Sequence, residues 1–222
     1  MRARGAGRGS MAAGTGPVLD APTAALVRVA AAVARGKAPE LKARFSAARD
    51  ARVPGLWIEE LLLQSMLVVG YPLALVAFAA WRGVGGPAPV EGAEDLAHAD
   101  WESWAARGAA VCREVYGRAY HKLLVNLRAL HPALEDLVLV DAYGKVIGRP
   151  GLDLKRRELC TVATTAVLGT AEQLHSHLRG ALNTGAEPKE IEAVLELVDG
   201  DLDPERRRSA REQWGDVKRR RL

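Results

Sequence analysis

The sequence predicts an all-α protein, and its composition and the placement of its glycines lead to this prediction. Apolar residues make up 49% of the 222 residues and aromatic residues only 5%, so Ala, Leu and Val must form most of the core. This composition favours closely packed helices over a β-sandwich, which uses more aromatic and β-branched side chains. Apolar stretches of helical length also end at glycine, the residue most typical just past a helix C-terminus. A chain of this length can bury a core without disulfides.

The predicted elements follow one another in a simple order. Residues 20–36 are rich in Ala and Val and predict a first helix. Residues 83–92 are rich in Gly and Pro and predict a linker, whereas 93–140 predict further helices. The stretch Gly144–Gly151 is expected to be a turn, after which Asp153 caps the next helix.

The net charge of +4 is concentrated towards the two ends of the chain. We therefore expect 1–19 to be a disordered tail, 20–200 to form one all-helical domain, and 201–222 to be a charged tail. The domain has no evident basic face with groove-reading or stacking residues, so no nucleic-acid partner is expected. The N-terminal segment lacks the apolar stretch of a signal peptide, and a cytoplasmic protein is therefore expected.

The two cysteines, Cys112 and Cys160, stand far apart in the sequence. They form neither a Cys-x-x-Cys motif nor a Cys/His ligand spacing, so no metal site is predicted. We interpret them as reduced thiols of an intracellular protein, with an intramolecular disulfide as the open alternative.

The stretch Leu61–Trp81 is almost wholly apolar and long enough in principle to cross a membrane. The sequence Gly70-Tyr71-Pro72 interrupts it midway, and proline disfavours a continuous helix at that point. Two short buried helices explain this pattern at least as well as one spanning helix.

An internal repeat supports the interpretation as a helical hairpin. At an offset of 99 residues (158 − 59), Glu59 aligns with Glu158 and Gly70 aligns with Gly169. Both copies have a Glu, ten mostly apolar or small residues, a Gly and a second helix, which indicates a repeated helical hairpin. The second copy is too polar after its glycine to span a membrane, so no membrane partner is expected. The two repeat halves are residues 41–82 and 149–198.

Three motifs stand close together in the second half of the chain. They are Arg149-Pro150-Gly151-Leu152-Asp153, then Arg156-Arg157-Glu158-Leu159, and then Leu174-His175-Ser176-His177-Leu178-Arg179-Gly180-Ala181-Leu182-Asn183-Thr184-Gly185. In this order they resemble the carboxymuconolactone decarboxylase family, within the larger group of alkylhydroperoxidase D-like proteins. The clear match covers roughly residues 108–198. Residues 58–81 resemble the end of the same domain, which here precedes the part with the histidines.

The resemblance implies an alkylhydroperoxidase D-like helical bundle whose subunits assemble into homo-oligomers, either trimers or hexamers. It also implies a small-molecule substrate and no cofactor. Peroxidase members of the group carry a Cys-x-x-Cys motif, and the matching positions here hold Thr170 and Gln173. The Glu and the His of the same pattern match Glu158 and His177. Because the pair of thiols is missing, two-cysteine peroxide reduction is not expected.

Because thiol chemistry is not expected, the chemistry that the resemblance still implies is acid–base catalysis. Loss of CO₂ from a carboxylated lactone leaves electrons that must be stabilised, and a proton must be delivered to carbon. Imidazoles titrate near neutral pH, so His177 is the predicted proton donor, with Glu158 orienting it as the second catalytic residue. The predicted substrate-binding residues are Arg179, which can hold a carboxylate or an oxyanion, and His175.

Each of these residues also has a plainer interpretation. Glu158 is equally consistent with a carboxylate that stabilises the N-terminus of its helix. Arg179 is equally consistent with an ion-pair partner at the surface. His175 lies about 200° from His177 around a helix, so a surface or subunit-contact role is favoured for it. For His177 the alternative is a half-buried side chain hydrogen-bonded inside the bundle.

The leading hypothesis is a cytoplasmic, cofactor-independent carboxy-lyase that acts on a small carboxylated lactone or a related acid. A second hypothesis is a non-catalytic oligomeric member of the family that binds a ligand or a protein partner. The third, an alkylhydroperoxidase-type antioxidant, is disfavoured because Thr170 and Gln173 replace the cysteines.

Overall fold

The computed structural model describes residues 17–87 and 100–221. Every regular element in these two ranges is a helix, which confirms the predicted all-α class. A π-helical segment, Leu137–Ile147, follows α6. The helices in chain order are α1 (Ala21–Arg35), α2 (Ala38–Asp50), α3 (Gly55–Gly83), α4 (Trp101–Tyr116), α5 (Tyr120–Leu130), α6 (Leu134–Asp136), α7 (Leu154–Leu168), α8 (Ala171–Asn183), α9 (Pro188–Val198) and α10 (Pro204–Arg221).

Helix α3 consists of two arms joined by a sharp break at Gly70, where φ is 74° and ψ is 168°. Glycine adopts this backbone conformation without the strain that a side chain would cause. The second arm folds back on the first. This is shown by Arg82 Nη2, near the end of the second arm, which donates to Glu59 Oε2 of the first arm at 2.8 Å. A straight helix would hold these two residues roughly 35 Å apart. The apolar stretch is therefore a hairpin, interrupted where its Gly-Tyr-Pro sequence predicts.

By its length and a mean hydropathy of 2.0, the stretch within Gly55–Gly83 has the composition of a membrane-spanning helix. Each arm of the hairpin is only about 20 Å long, whereas the hydrocarbon layer of a membrane is about 30 Å thick. A third of the stretch is buried in the fold (33%). The hairpin thus packs on the helical body with one side and leaves the other side exposed.

The helices form two units of the same design, unit 1 with α1–α3 and unit 2 with α7–α10. Helix α7 begins 133 residues after α1 (154 − 21), and both are 15 residues long. Helix α8 begins 133 residues after α2 (171 − 38), and both are 13 residues long. At the same offset, α9 matches the first arm of α3 and α10 matches the second. The units meet through equivalent helices, because α1 packs against α7.

The correspondence extends to individual side chains. The indole of Trp214 donates to Glu192 Oε1 at 3.1 Å. The indole of Trp81 donates to Glu59 in the same way, with both partners 133 residues earlier. Both indoles are buried. The contact ties α10 to α9 in unit 2, and it ties the second arm of α3 to the first arm in unit 1.

This register replaces the offset of 99 residues predicted from the sequence. Glu59 corresponds to Glu192, and Glu158 corresponds to Ala25 rather than to Glu59. The sequence suggests the shorter offset because two helices share one pattern. Helix α7 and the first arm of α3 are both apolar, and each ends at a glycine with positive φ. The two helices nevertheless occupy different places in their units.

The segment 201–222, predicted to be a charged tail, instead forms part of the core through α10. Its charged side chains occupy the outer face of the helix, so the segment is tail-like in composition but not in structure. Three residues of α10 are buried against the rest of unit 2: Ala210, Trp214 and Val217.

Parts of two predicted segments lie outside the described residues, namely most of the tail 1–19 and residues 88–99 of the linker and following helices. Leu19 is described and is buried in the core, so the folded part begins before the predicted boundary at residue 20. Helix α4 begins at Trp101.

The segment between the units, from α4 to Ile147, forms a second, smaller core. Helix α4 crosses the π-helical segment at very short range. A Cβ atom on Gly108 would lie 1.8 Å from Leu139 O, and one on Gly144 would lie 2.4 Å from Trp104 O. Gly144 was predicted to lie in a turn but lies inside the π-helical segment. Its missing side chain allows the backbone of this segment to approach the backbone of α4 closely, and it does not reverse the chain.

A buried ion pair joins the two units. Arg157 on α7 is fully buried, and its Nη2 donates to Glu60 Oε2 on α3 at 2.8 Å. Gln64 accepts from Arg157 Nη1 at 3.3 Å and donates to Thr161 Oγ1 at 2.7 Å. Arg149 Nε also donates to Glu60, at 3.1 Å. Burial lowers the pKa of Arg157, and the hydrogen bond and charge of Glu60 oppose that change.

Replacing Glu60 by Gln should lower the free energy of unfolding by about 3–5 kcal/mol, because Arg157 would remain buried without a counter-charge. Urea unfolding followed by far-UV circular dichroism measures the change. The matched control is Glu212→Gln, which removes an exposed carboxylate on α10 and should leave the transition where it is. Equal transitions for Glu60→Gln and the wild type would contradict the assigned importance of the pair.

Candidate active site

The two predicted catalytic residues meet across the hairpin of α7 and α8. Glu158 lies near the start of α7 with 3% of its side chain exposed, and His177 lies in α8 with 19% exposed. Glu158 Oε2 is 2.9 Å from His177 Nδ1. Gly169 ends α7 in the left-handed conformation (φ 76°), which allows the tight reversal that aligns the two helices.

The contact assigns different roles to the two imidazole nitrogens of His177. An ionised carboxylate can only accept hydrogen bonds, so Nδ1 must donate its proton to Glu158. The second nitrogen, Nε2, is then the one that can give or take a proton. In this geometry Glu158 can orient the imidazole, and His177 can carry a proton through Nε2.

A glycine makes room for this carboxylate. Gly180 follows His177 by three residues on α8, and a Cβ atom there would lie 2.3 Å from Glu158 Oε2. The same Cβ would lie 3.0 Å from Val115 Cγ1 of α4. The carboxylate is thus enclosed between α7, α8 and α4, and no larger residue fits at position 180 without displacing it.

Helix α4 and the π-helical segment place three further ionisable groups in the field of Glu158: Cys112, Tyr116 and Tyr143. Burial raises the pKa of Tyr116 to about 12, although the hydrogen bond from Tyr143 opposes this increase. Burial also raises the pKa of Tyr143 well above its usual value. The Glu158 charge adds to both increases. Both phenols stay protonated near neutral pH and can donate hydrogen bonds.

A cleft with a volume of about 260 Å³ lies beside this cluster, between α4, α5, α8 and α10. Arg179 and Asn183 line it together with Arg220, and they also line an adjoining hollow. Lys122 from α5 adds another positive charge to its wall. Such a basic, open cleft suits a small ligand with carboxylate groups.

The two predicted substrate-binding residues lie in this cleft, but His177 does not line it. His175 Nε2 is 3.2 Å from Asp216 Oδ2 of α10. Burial would raise the pKa of Asp216, but the nearby Arg220 and His175 hold it below its usual value. Arg179 is exposed in the cleft, four residues after His175 on the same face of α8.

The catalytic pair and the cleft are neighbours, and Val115 and Tyr116 of α4 connect them. Both residues line the cleft. Val115 also borders the space around the carboxylate of Glu158, and Tyr116 lies within its field. The predicted site residues thus fall on two adjoining surfaces and not in one shared pocket.

Unit 1 has no equivalent of the pair. The positions that correspond to Glu158 and His177 hold Ala25 and Arg44. The candidate active site is therefore a feature of unit 2 and of the segment that packs on it.

Tyr116, Tyr143 and Asp216 are not predicted from the sequence to have a role in the site. Tyr116 shares a helical face with Val111 and Val115, which predicts burial but does not identify the partner helix. Asp216 belongs to the segment predicted to be a tail. The strongest overlooked signal is Gly180, because a glycine inside a helix usually has a packing reason.

The two cysteines are unsuited to redox chemistry. Both are free and buried, so the alternative of a disulfide between them is excluded. Burial raises the pKa of Cys112 and of Cys160 to about 12 each. Thr170 and Gln173, at the positions of the family's cysteines, are exposed. In the described ranges, no group of three or more His, Cys, Asp or Glu residues is arranged to hold a metal ion.

The fold and this site define an all-α protein of the alkylhydroperoxidase D-like type. The sequence model of the carboxymuconolactone decarboxylase family matches residues 1–83 and 137–212, and the chain belongs to this family. The residues between the two matched stretches, 84–136, include α4 and α5, so each matched stretch contains most of one unit.

Two relatives carry the names of decarboxylases. Over 90 residues, or 40% of this chain, the sequence is 31% identical to 4-carboxymuconolactone decarboxylase from Acinetobacter baylyi, covering 67% of that protein. Over 90 residues, again 40% of this chain, it is 37% identical to nitrosuccinic acid decarboxylase from Metarhizium robertsii, covering 63% of that protein. The chain thus spans about two thirds of the length of these relatives.

Replacing Gly180 by Ala should push the Glu158 carboxylate away from His177 and destabilise the protein by about 1–3 kcal/mol. Thermal unfolding measures the loss of stability. Gly200→Ala is the control, because a Cβ atom at that position meets no atom within 4 Å. If both variants melt at the temperature of the wild type, Gly180 is not needed to accommodate the carboxylate.

Both thiols should resist Ellman's reagent at pH 8 in the folded protein. A pKa of about 12 keeps each thiol protonated at that pH, and only the thiolate reacts. Both thiols should react promptly after unfolding in guanidinium chloride, which is the internal control. Rapid labelling of the native protein would show a reactive thiolate and reopen the antioxidant hypothesis.

Proposed function

We propose that this protein is a carboxy-lyase that removes CO₂ from a small carboxylated lactone or a related acid. The observation that carries the proposal is the enclosed contact of 2.9 Å between Glu158 and His177. Family membership and the names of the two relatives support the reaction class. The two principal groups of the site, an imidazole and a carboxylate, can supply acid–base chemistry.

The bond between the substrate carbon and its carboxylate breaks, CO₂ leaves, and the bonding electrons remain on that carbon. A neighbouring carbonyl or similar group accepts them as an enolate-like charge. His177 Nε2 then delivers a proton to the carbon, and water replaces that proton because the imidazole is partly exposed (19%).

The residues around the pair have complementary roles in the proposal. Glu158 stabilises the protonated imidazole and keeps its Nε2 directed outward. Neutral phenols are suitable donors to a developing oxyanion, and Tyr116 is the phenol that reaches the cleft. Arg179 would hold a carboxylate that is retained in the product, since it lies in the cleft and not beside His177.

The test is release of CO₂ from a panel of small acids whose carboxylate lies next to an electron-accepting carbonyl, lactone or nitro group. His177→Ala should lower kcat/KM by about a hundredfold or more, the contribution typical of a general acid. Glu158→Gln retains a hydrogen-bond acceptor but removes the charge, so we expect a loss of about tenfold or more with helicity unchanged. His131→Ala, an exposed histidine outside the site, is the control and should behave as the wild type.

Unchanged turnover in His177→Ala would overturn the proposed proton donor. If no acid is decarboxylated while calorimetry shows binding in the cleft, a non-catalytic ligand-binding function is correct instead. Consumption of peroxide with a thiol reductant would favour the antioxidant hypothesis.

A further inference from the structure

The second arm of α3 carries an exposed apolar face that the fold does not use. Its members recur at positions i, i+1, i+4, i+5 and i+8 and so lie on one side of the helix. Tyr71 is 67% exposed and Leu75 is 61% exposed. Leu73, between them, points the other way and packs on Gly36 of unit 1. The face, here called the α3 face, consists of Tyr71, Pro72, Leu75, Val76 and Ala79.

The equivalent helix of unit 2 shows that the fold itself does not require these apolar residues. Helix α10 has the same place in its unit, and it buries Ala210 and Trp214 as α3 buries Ala77 and Trp81. Its outer face is nevertheless polar and charged. At the offset of 133 residues, the positions of the α3 face are occupied by Pro204, Glu205, Arg208, Ser209 and Glu212.

An exposed apolar face of this extent requires an explanation. Patches of roughly 300–600 Å² are the largest that monomers usually expose, and they are often functional. With Tyr71 and Leu75 more than half exposed, the five contiguous side chains of the α3 face expose an area of roughly this size. Two such faces with their rims approach the roughly 1,200 Å² at which specific protein interfaces begin.

We propose that the α3 face is the contact through which this chain associates with a second copy of itself, about a two-fold axis. In a two-fold contact each residue faces the same patch of the partner, so a charge close to the axis would face its own copy. The α3 face has no charge, and none occurs anywhere from Leu61 to Trp81. The face is therefore compatible with itself, whereas the charged face of α10 provides no such apolar contact.

Other occupants fit these features less well. A membrane would need an apolar segment longer than the arm of about 20 Å, or the basic rim that usually accompanies interfacial helices. Lys and Arg are absent from Leu61–Trp81. The chain segment 88–99 contains Glu91, Glu94 and Asp95, which match an uncharged face poorly.

The experiment is sedimentation velocity over a range of micromolar concentrations, with Leu75→Arg as the variant. Arg is the residue that unit 2 carries at the equivalent position, Arg208, so the helix accommodates it. The wild type should sediment as a dimer or a larger assembly of dimers. Leu75→Arg should lose the two-fold contact and sediment as a smaller species, the single chain where the wild type is a dimer, with its circular dichroism unchanged. The matched control is Val125→Arg on α5, which changes a residue of similar exposure, 60%, outside the face.

A wild type that is a single chain at all concentrations would overturn the proposal, as would a Leu75→Arg variant that keeps the mass of the wild type. Should Leu75→Arg fail to fold, Val76→Glu gives the same comparison at a less exposed position of the face. Flotation of the wild type with anionic vesicles, lost in Leu75→Arg, would assign the face to a membrane surface and also overturn the proposal.

Discussion

Two buried charges that lie side by side on α7 determine how the rest of the molecule packs. Arg157 and Glu158 are adjacent in sequence and both almost fully buried, so each needs a partner of opposite charge or a strong hydrogen bond. Arg157 pairs with Glu60 of α3, and this contact joins the two units. Glu158 pairs with His177 of α8, and this contact forms the candidate site. The requirement to compensate buried charge thus links the architecture of the fold to its chemistry.

The two units show how one helical design can serve different purposes. Both retain the buried Trp–Glu contact that closes the last helix on the unit. Only unit 2 has the carboxylate and imidazole, and α4 packs against its helix α8. Unit 1 keeps the helices but carries the apolar α3 face where unit 2 is charged. In the functions proposed above, unit 2 provides the chemistry, and unit 1 provides support and the contact with a second copy.

Much of this arrangement could be predicted from the sequence, but only where the signal is local. The pairing of Glu158 with His177 follows from two helices, a glycine between them and a motif shared with a known family. The participation of Tyr116 could not be predicted, because helical phase shows which face is buried and not which helix buries it. The register of the two units was missed because an apolar helix that ends at glycine is too common a pattern to align uniquely.

The central claim is that Glu158 holds the imidazole of His177 with Nε2 free for proton transfer. The most direct measurement is the ¹⁵N NMR spectrum of protein with labelled histidine, at a pH where the imidazole is neutral, with His177→Ala used to assign the signal. The account predicts a neutral imidazole protonated on Nδ1, and the loss of this preference in Glu158→Gln. A His177 signal typical of protonation on Nε2 would contradict it.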